Sequence, residues 1–211
     1  MTQRITAIEP SNDDTNLRDI YVQGKFAMTL SLAMVETLQL SVEQEWTIET
    51  TDTAEHCHAL EASREMAIKL ISRRTWGSNE LKSRLIKRGT EAQIAERTVE
   101  QLIEDGWLND HAFACALIRQ WLRKEPAGRR WLMQKLYEKE VANDIAQGAL
   151  HEELAGTTEQ ESANAFAIKR FAKTSGDEET VKRKVIGALQ RKGFAGDVSF
   201  EALKHAQNES A

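Results

Sequence analysis

Few residues in this chain carry distinctive chemistry. His56, Cys57 and His58 are the one local concentration of metal-ligand types. Adjacent helical residues point about 100° apart, so these three do not readily share one ion, and no metal site is expected. Cys115, flanked by alanines in AFACAL, reads as a small buried core residue rather than a nucleophile. His111 beside Asp110 reads as a helix start, with no base–nucleophile pair in view. Two cysteines in all exclude a disulfide scaffold and an all-cysteine zinc site. The phosphate loops GxGxxG and GxxxxGKS/T, the zinc helix HExxH and the elbow GxSxG are missing. Neither catalysis nor a cofactor is expected.

The basic residues say more. Arg84 and Arg88 lie four apart on one helical face with Lys87 next to them, while Leu81 and Leu85 occupy another. Arg73 and Arg74 precede them; Arg129, Arg130, Lys135 and Lys139 follow, then Lys182, Arg183, Lys184, Arg191 and Lys192. Singly, each suits a solvated polar face. Repeated along an array, they would present a positive strip to an elongated polyanion or an acidic filament. Trp121 and Trp131 are mixed in with the arginines; packing between helices is their plain reading, stacking on bases the alternative.

The segments that must position these residues repeat. LKSRLIKRGTEAQI (81–94), LMQKLYEKEVANDI (132–145) and VIGALQRKGFAGDV (185–198) share a framework of aliphatic, leucine, base, aliphatic. The core anchors are Leu81, Leu85 and Ile94; Leu132, Leu136 and Ile145; Val185, Leu189 and Val198. The matched bases are Arg88, Lys139 and Lys192, and a further match falls at Val99, Leu150 and Leu203. Offsets of 51 and 53 residues define units too small to bury an apolar face alone, so they must stack into an elongated all-α array. Three helices per unit are expected: Ser63 capping 64–72, Ser78 capping 79–87 and a Thr90/Gln93 capping box for 91–104 in the first. Gly89 and Gly106 sit where helices end in a left-handed residue. The second unit starts at Asn109 or Asp110 and breaks at 126–128; the third uses Thr158 with Glu161, and Ser175 with Glu178, as caps.

The head reads differently. Residues 4–9 alternate, 20–30 form two strands about a Gln23–Gly24 turn, Ser31 caps a helix over 32–38, and a strand lies near 42–48. The expected organisation is a small β-rich accessory module (1–50), a helical connector (51–62), repeats at 63–108, 109–157 and 158–207, and a disordered tail (208–211). The net charge of −5 hides a net −8 over residues 1–63, +5 over 64–140 and −2 over 141–211. At 41% hydrophobic and 29% charged, the chain can bury a core. MTQRITAIEP lacks an apolar signal core and no run is long enough for a membrane helix, so a cytoplasmic monomer without membrane contact is expected.

The chain resembles the RecX family, negative regulators of the bacterial RecA recombinase. The resemblance rests on AIKLISRRTWGSNELKSRLIKRG (67–89), IEDGWLNDHAFACALI (103–118) and GRRWLMQKLYEKEV (128–141). Gly106, Trp107, Leu108, Asp110, Phe113 and Ala114 fit its second stretch, and Gly128, Arg129, Leu132, Leu136 and Lys139 its third. The match runs from about residue 60 to 205, and the head is similar to an extension some members carry. Two positions depart: Glu140 stands where a glycine is usual, so that helix either ends differently or runs on, and Trp131 replaces an aliphatic residue.

The resemblance implies tandem three-helix units and a non-catalytic function. RecX proteins lodge in the groove of the RecA–DNA filament, suppress ATP hydrolysis and strand exchange, promote filament loss and can block LexA cleavage. The expected partners are therefore a RecA filament and, weakly and without sequence preference, single- and double-stranded DNA. An alternative is a protein acting directly on DNA through helix-turn-helix-like units. The segment 81–89 offers mostly phosphate-type bases, which weakens any base-specific reading. An enzyme is the third and least supported reading.

Overall fold

The alternating head becomes an antiparallel sheet. Strands β1 (Gln3–Pro10), β2 (Leu17–Val22), β3 (Lys25–Ser31) and β4 (Glu45–Trp46) take the order β3-β2-β1-β4. Gln23 and Gly24 both have positive φ, at 49° and 72°, as a two-residue hairpin turn that matches strand twist requires. A bulge at Thr6 ties β1 to that turn: its Oγ1 accepts from Gly24 N at 2.9 Å and donates to the Tyr21 carbonyl at 3.2 Å. Ser31 Oγ accepts from Met34 N and so starts helix α1 (Leu32–Thr37). The strand near 42–48 shortens to the two residues of β4.

The computed structural model describes residues 3–12 and 14–209. Helix α2 (Ile48–Ile71) runs unbroken for 24 residues from its Thr47 cap. Ser63, expected to start a helix, is instead buried inside α2 and hydrogen-bonds the Thr98 hydroxyl at 2.9 Å. No glycine or proline interrupts 48–71, so nothing stops the helix there. The stretch read as a connector is therefore the first half of α2. Its Ala54 joins Ile5, Ile20, Leu30, Met34, Val35 and Trp46 in the core that covers one sheet face. A small sheet needs such a helix to be stable.

Three three-helix repeats follow the β module. The C-terminal part of α2, α3 (Ser78–Ile86) and α4 (Ala92–Glu104) make the first; α5 (Asp110–Lys124), α6 (Arg129–Tyr137) and α7 (Asn143–Glu153) the second; α8 (Glu159–Ala172), α9 (Glu178–Arg191) and α10 (Gly196–Glu209) the third. The chain forms two compact units, one holding residues 1–73 and 82–101 and the other residues 74–81 and 102–211. Gly89 and Gly106 adopt φ of 98° and 76° at helix ends. Asn109 caps α5, and Thr158 with Glu161 forms a complete capping box on α8. Besides Ser63, three expected caps differ. Ser78 lies within α3, its N–H and hydroxyl both bonded to the Asp110 carboxylate. Asp177, not Ser175, caps α9 by accepting from Thr180 N, because it stands directly before the first helical residue. Helix α4 starts at Ala92, one residue later than expected. Asn208 and Glu209, placed in the tail, close α10; residues 210–211 lie outside the described residues.

The anchors of the repeat face inward. Leu81, Leu85, Leu132, Leu136, Val185 and Leu189 have no accessible surface, and Ile94 retains 3%. Ile145 and Val198 are half-buried at the edges of their cores. The second repeat closes around Phe113, Ile118, Leu132, Leu136 and Leu150; the third around Phe166, Val185, Leu189, Phe194 and Leu203.

These contacts set the response to mutation and to acid. Leu136→Ala leaves a cavity in the second repeat and should cost about 2–5 kcal/mol, read as a lower denaturant midpoint; an unchanged midpoint would place the wrong face of α6 inside. Acid should also weaken the fold. Hydrogen bonds from Arg119, from the Thr158 backbone and from the Thr180 backbone hold the Glu153, Glu161 and Asp177 carboxyls below their usual pKa. The unfolded chain then takes up protons first, so stability is full above roughly pH 5 and falls as pH drops through about 4. Urea midpoints at pH 7 and pH 4 measure the loss, and Glu153→Gln should reduce it.

Candidate functional site

Packing divides the basic residues into two groups. Arg84, Lys87 and Arg88 are exposed on α3 and the turn after it, and make no ion pair with a described acid. Arg73 is likewise exposed after α2. Arg129 and Arg130 occupy the first turn of α6, exposed and unpaired with any described acid, where the positive helix end adds to their own charge. Arg183 and Arg191 are exposed on α9, and Lys184 donates to the Ser175 carbonyl at 3.3 Å. These side chains need no other protein group to explain them, except that Lys184 steadies the loop before α9.

The other group works inside the second compact unit. The matched base of the second repeat, Lys139, lies 3.8 Å from Glu80 on α3, whose carboxylate also takes a two-pronged contact from Arg74 at 3.0 Å. Arg74 in turn stacks 3.3 Å over the Trp76 ring. The matched base of the third repeat, Lys192, sits 4.5 Å over the Trp131 ring and 2.7 Å from Glu125. Trp131 is the repeat equivalent of Glu80, and Glu125 the equivalent of Arg74, by the 51-residue offset. The same lysine thus meets the carboxylate of Glu80 at one joint, and at the other the indole face that replaces it together with the Glu125 carboxylate. The preceding position is Arg74 at one joint and Glu125 at the other, so each lysine has one carboxylate within reach. Recurrence of this base reflects stacking of successive repeats as well as surface charge. Lys135, half-buried, is held by Glu138.

Backbone contact sets the spacing at the second joint. Gly128 N donates to the Lys192 carbonyl at 2.8 Å. A Cβ on Gly128 would fall 2.5 Å from the Gly193 carbonyl, and one on Gly193, at φ 82°, 2.3 Å from Trp131 N. Glu140, the equivalent of Gly193, has φ 59°, so α6 ends as it would with glycine despite the substitution. Side chains span that joint: Asn79 Nδ2 donates to the Glu140 carbonyl at 2.9 Å. Trp131 packs edge-on against Trp121, ring centroids 5.9 Å apart, half-buried on the second core. Both tryptophans are packing residues in this state.

Sequence reasoning missed two features. Tyr137 is 81% exposed on α6, and Arg130, Gln134 and Tyr137 fall on one face by helical spacing. That spacing was the available signal. His111 and Cys115 also lie four apart on α5, and Glu152 of α7 brings a carboxylate to them, the one such mixed cluster among the described residues. No sequence signal linked Glu152 to that pair. His56, Cys57 and His58 do not form such a cluster, and no helix among the described residues is long and apolar enough to cross a membrane.

Known proteins share the three-helix organisation of this chain. Residues 109–150 match the family model of the second three-helix domain of RecX, and residues 157–203 that of the third. Regulatory protein RecX of Vibrio vulnificus is 32% identical over 148 residues, 70% of this chain and 92% of that protein. The Clostridium botulinum protein of the same name is 23% identical over 211 residues, 97% of each. A crystal structure of regulatory protein RecX superposes with a TM-score of 0.77 at 20% identity, covering 96% of this chain and 98% of that one. RecX from Lactobacillus salivarius gives 0.59 at 18%, covering 71% and 97%. At these identities the two structures establish the fold alone.

Glu140 yields a prediction. A non-glycine residue in the left-handed region costs about 1–2 kcal/mol, partly offset by the entropy of glycine in the unfolded chain. Glu140→Gly should therefore raise the unfolding free energy by roughly 0.5–1 kcal/mol. A loss of stability in denaturant titration would show that the Glu140 side chain contributes more than its backbone strain costs.

Proposed function

The chain belongs to the RecX family of regulatory proteins, and from that premise we propose that it binds the RecA–DNA filament and inhibits RecA ATPase, strand exchange and coprotease activity without catalysis of its own. The observation that carries this reading is the split among the cations. Arg84, Lys87 and Arg88 on the first repeat, and Arg129 and Arg130 on the second, are exposed and have no partner acid among the described residues. Exposed charges of this kind contribute little to folding, so they are available to phosphates or carboxylates of a partner. Several weak contacts along successive repeats would add by avidity, with no pocket required. The chain acts in this reading as a monomer in the cytoplasm, in DNA repair and the SOS response.

A second reading, direct binding to DNA, is favoured by Tyr137, whose exposed ring shares a helical face with Arg130 and could stack on an unpaired base. Salt separates the two. Binding to naked DNA through phosphates alone should fall steeply with added salt. Binding to the filament should persist where naked DNA binding is lost.

The direct test is the single-stranded-DNA-dependent ATPase of RecA. Sub-stoichiometric protein should lower it, and no inhibition at one chain per RecA protomer would overturn the proposal. Alanine at Arg84 and Arg88, or at Arg129 and Arg130, should weaken inhibition at low salt and leave helical content and melting temperature nearly unchanged. Combining the pairs should cost more than either. A folded quadruple variant that inhibits like wild type would show these faces to be merely solvated.

A further inference from the structure

One residue of the second core, the buried Cys115, also belongs to a polar cluster that the basic faces do not explain. His111 and Cys115 share a face of α5, and Glu152 reaches them from α7. His111 Nδ1 lies 3.8 Å from Cys115 Sγ, and His111 Nε2 lies 3.7 Å from a Glu152 carboxylate oxygen. One donor atom from each residue falls within 4.8 Å of the other two. The imidazole lies over Gly148 of α7, at the surface of the repeat. A neutral imidazole keeps a lone pair on one ring nitrogen, free for a cation.

We propose that His111, Cys115 and Glu152 bind a zinc-class divalent cation that staples α5 to α7. Thiolate, imidazole and carboxylate together select zinc or cobalt over magnesium or calcium, which take oxygen ligands. Metal–donor bonds of about 2.0–2.3 Å place tetrahedral donors roughly 3.3–3.8 Å apart. The 3.8 and 3.7 Å contacts use different ring nitrogens, so an ion takes one of them and the three donors close from within 4.8 Å. The exposed Glu152 side chain supplies the remaining adjustment, and water the fourth position. Charge supports the assignment. Arg119 is bound by Glu153 at 2.6–2.9 Å and reaches Glu152 only at 4.0 Å, so its charge is met mainly by Glu153, which is thereby occupied. Glu152 and a Cys115 thiolate then match a dication. Burial, and then Glu152, raise the Cys115 pKa in the free protein. On binding, the S–H bond breaks, the S–metal bond forms and the proton leaves to solvent.

The test uses the full chain, reduced and metal-free, titrated with Co2+ as a spectroscopic probe and then with Zn2+. One equivalent of Co2+ should give a thiolate-to-cobalt charge-transfer band that Zn2+ abolishes, and Zn2+ should raise the melting temperature. Cys115→Ala should remove the band. His111→Gln, at an exposed position, should weaken Co2+ binding more than about tenfold, as should Glu152→Gln. Cys57→Ser should leave the band intact. No band in wild type, a band that depends on Cys57, or one unaffected by His111→Gln would overturn the site.

Discussion

Between the second and third repeats, Gly128 and Gly193 meet so closely that neither has room for a methyl group. That contact fixes where the end of one second helix lies against the start of another. It also sets the Lys192 ammonium over Trp131 and beside Glu125. Side-chain identity at the joint follows from this spacing. Where the backbone approach is intimate, the partner of the lysine is a flat ring; where Glu140 adds a Cβ, Asn79, Glu80 and Lys139 bridge instead. Both joints place the second-helix start of one repeat by the left-handed residue that ends the second helix of the next. The cores of the second and third repeats are separate clusters, so each repeat depends on its neighbour through such joints.

The joints also explain why basic residues recur at matched positions yet differ in use. Lys139 and Lys192 follow a preceding second helix and are drawn into ion pairs and a cation–π contact. Arg88 occupies the same place in the first repeat, which no earlier repeat precedes in the chain, and it stays exposed. Charge on the helical repeats thus has two physical origins, and only the exposed part is available to a partner.

Much of the fold was legible because period and punctuation are local. Leucines at matched spacing, glycines at helix ends, the Gln23–Gly24 turn and the Thr158–Glu161 box depend on neighbours within a few residues. The features that escaped depend on distant groups. Ser63 has the local look of a cap, but Thr98 supplies its partner, and Asp110 does the same for Ser78. The double role of the matched lysines needed the equivalence of Glu80 with Trp131, which sequence alone displays but does not weigh. The His111–Cys115–Glu152 cluster needed the docking of α7 on α5.

On this view exposed cations face the partner while the matched lysines hold the repeats together. Residue-resolved chemical labelling of lysine and arginine side chains, with and without RecA assembled on single-stranded DNA, tests that division most directly. Lys87, Arg84, Arg88, Arg129 and Arg130 should label readily in the free chain and become protected on the filament, while Lys139 and Lys192 should label slowly in both states. Fast labelling of Lys139 and Lys192 in the free chain, or no protection of the arginines on the filament, would contradict the account.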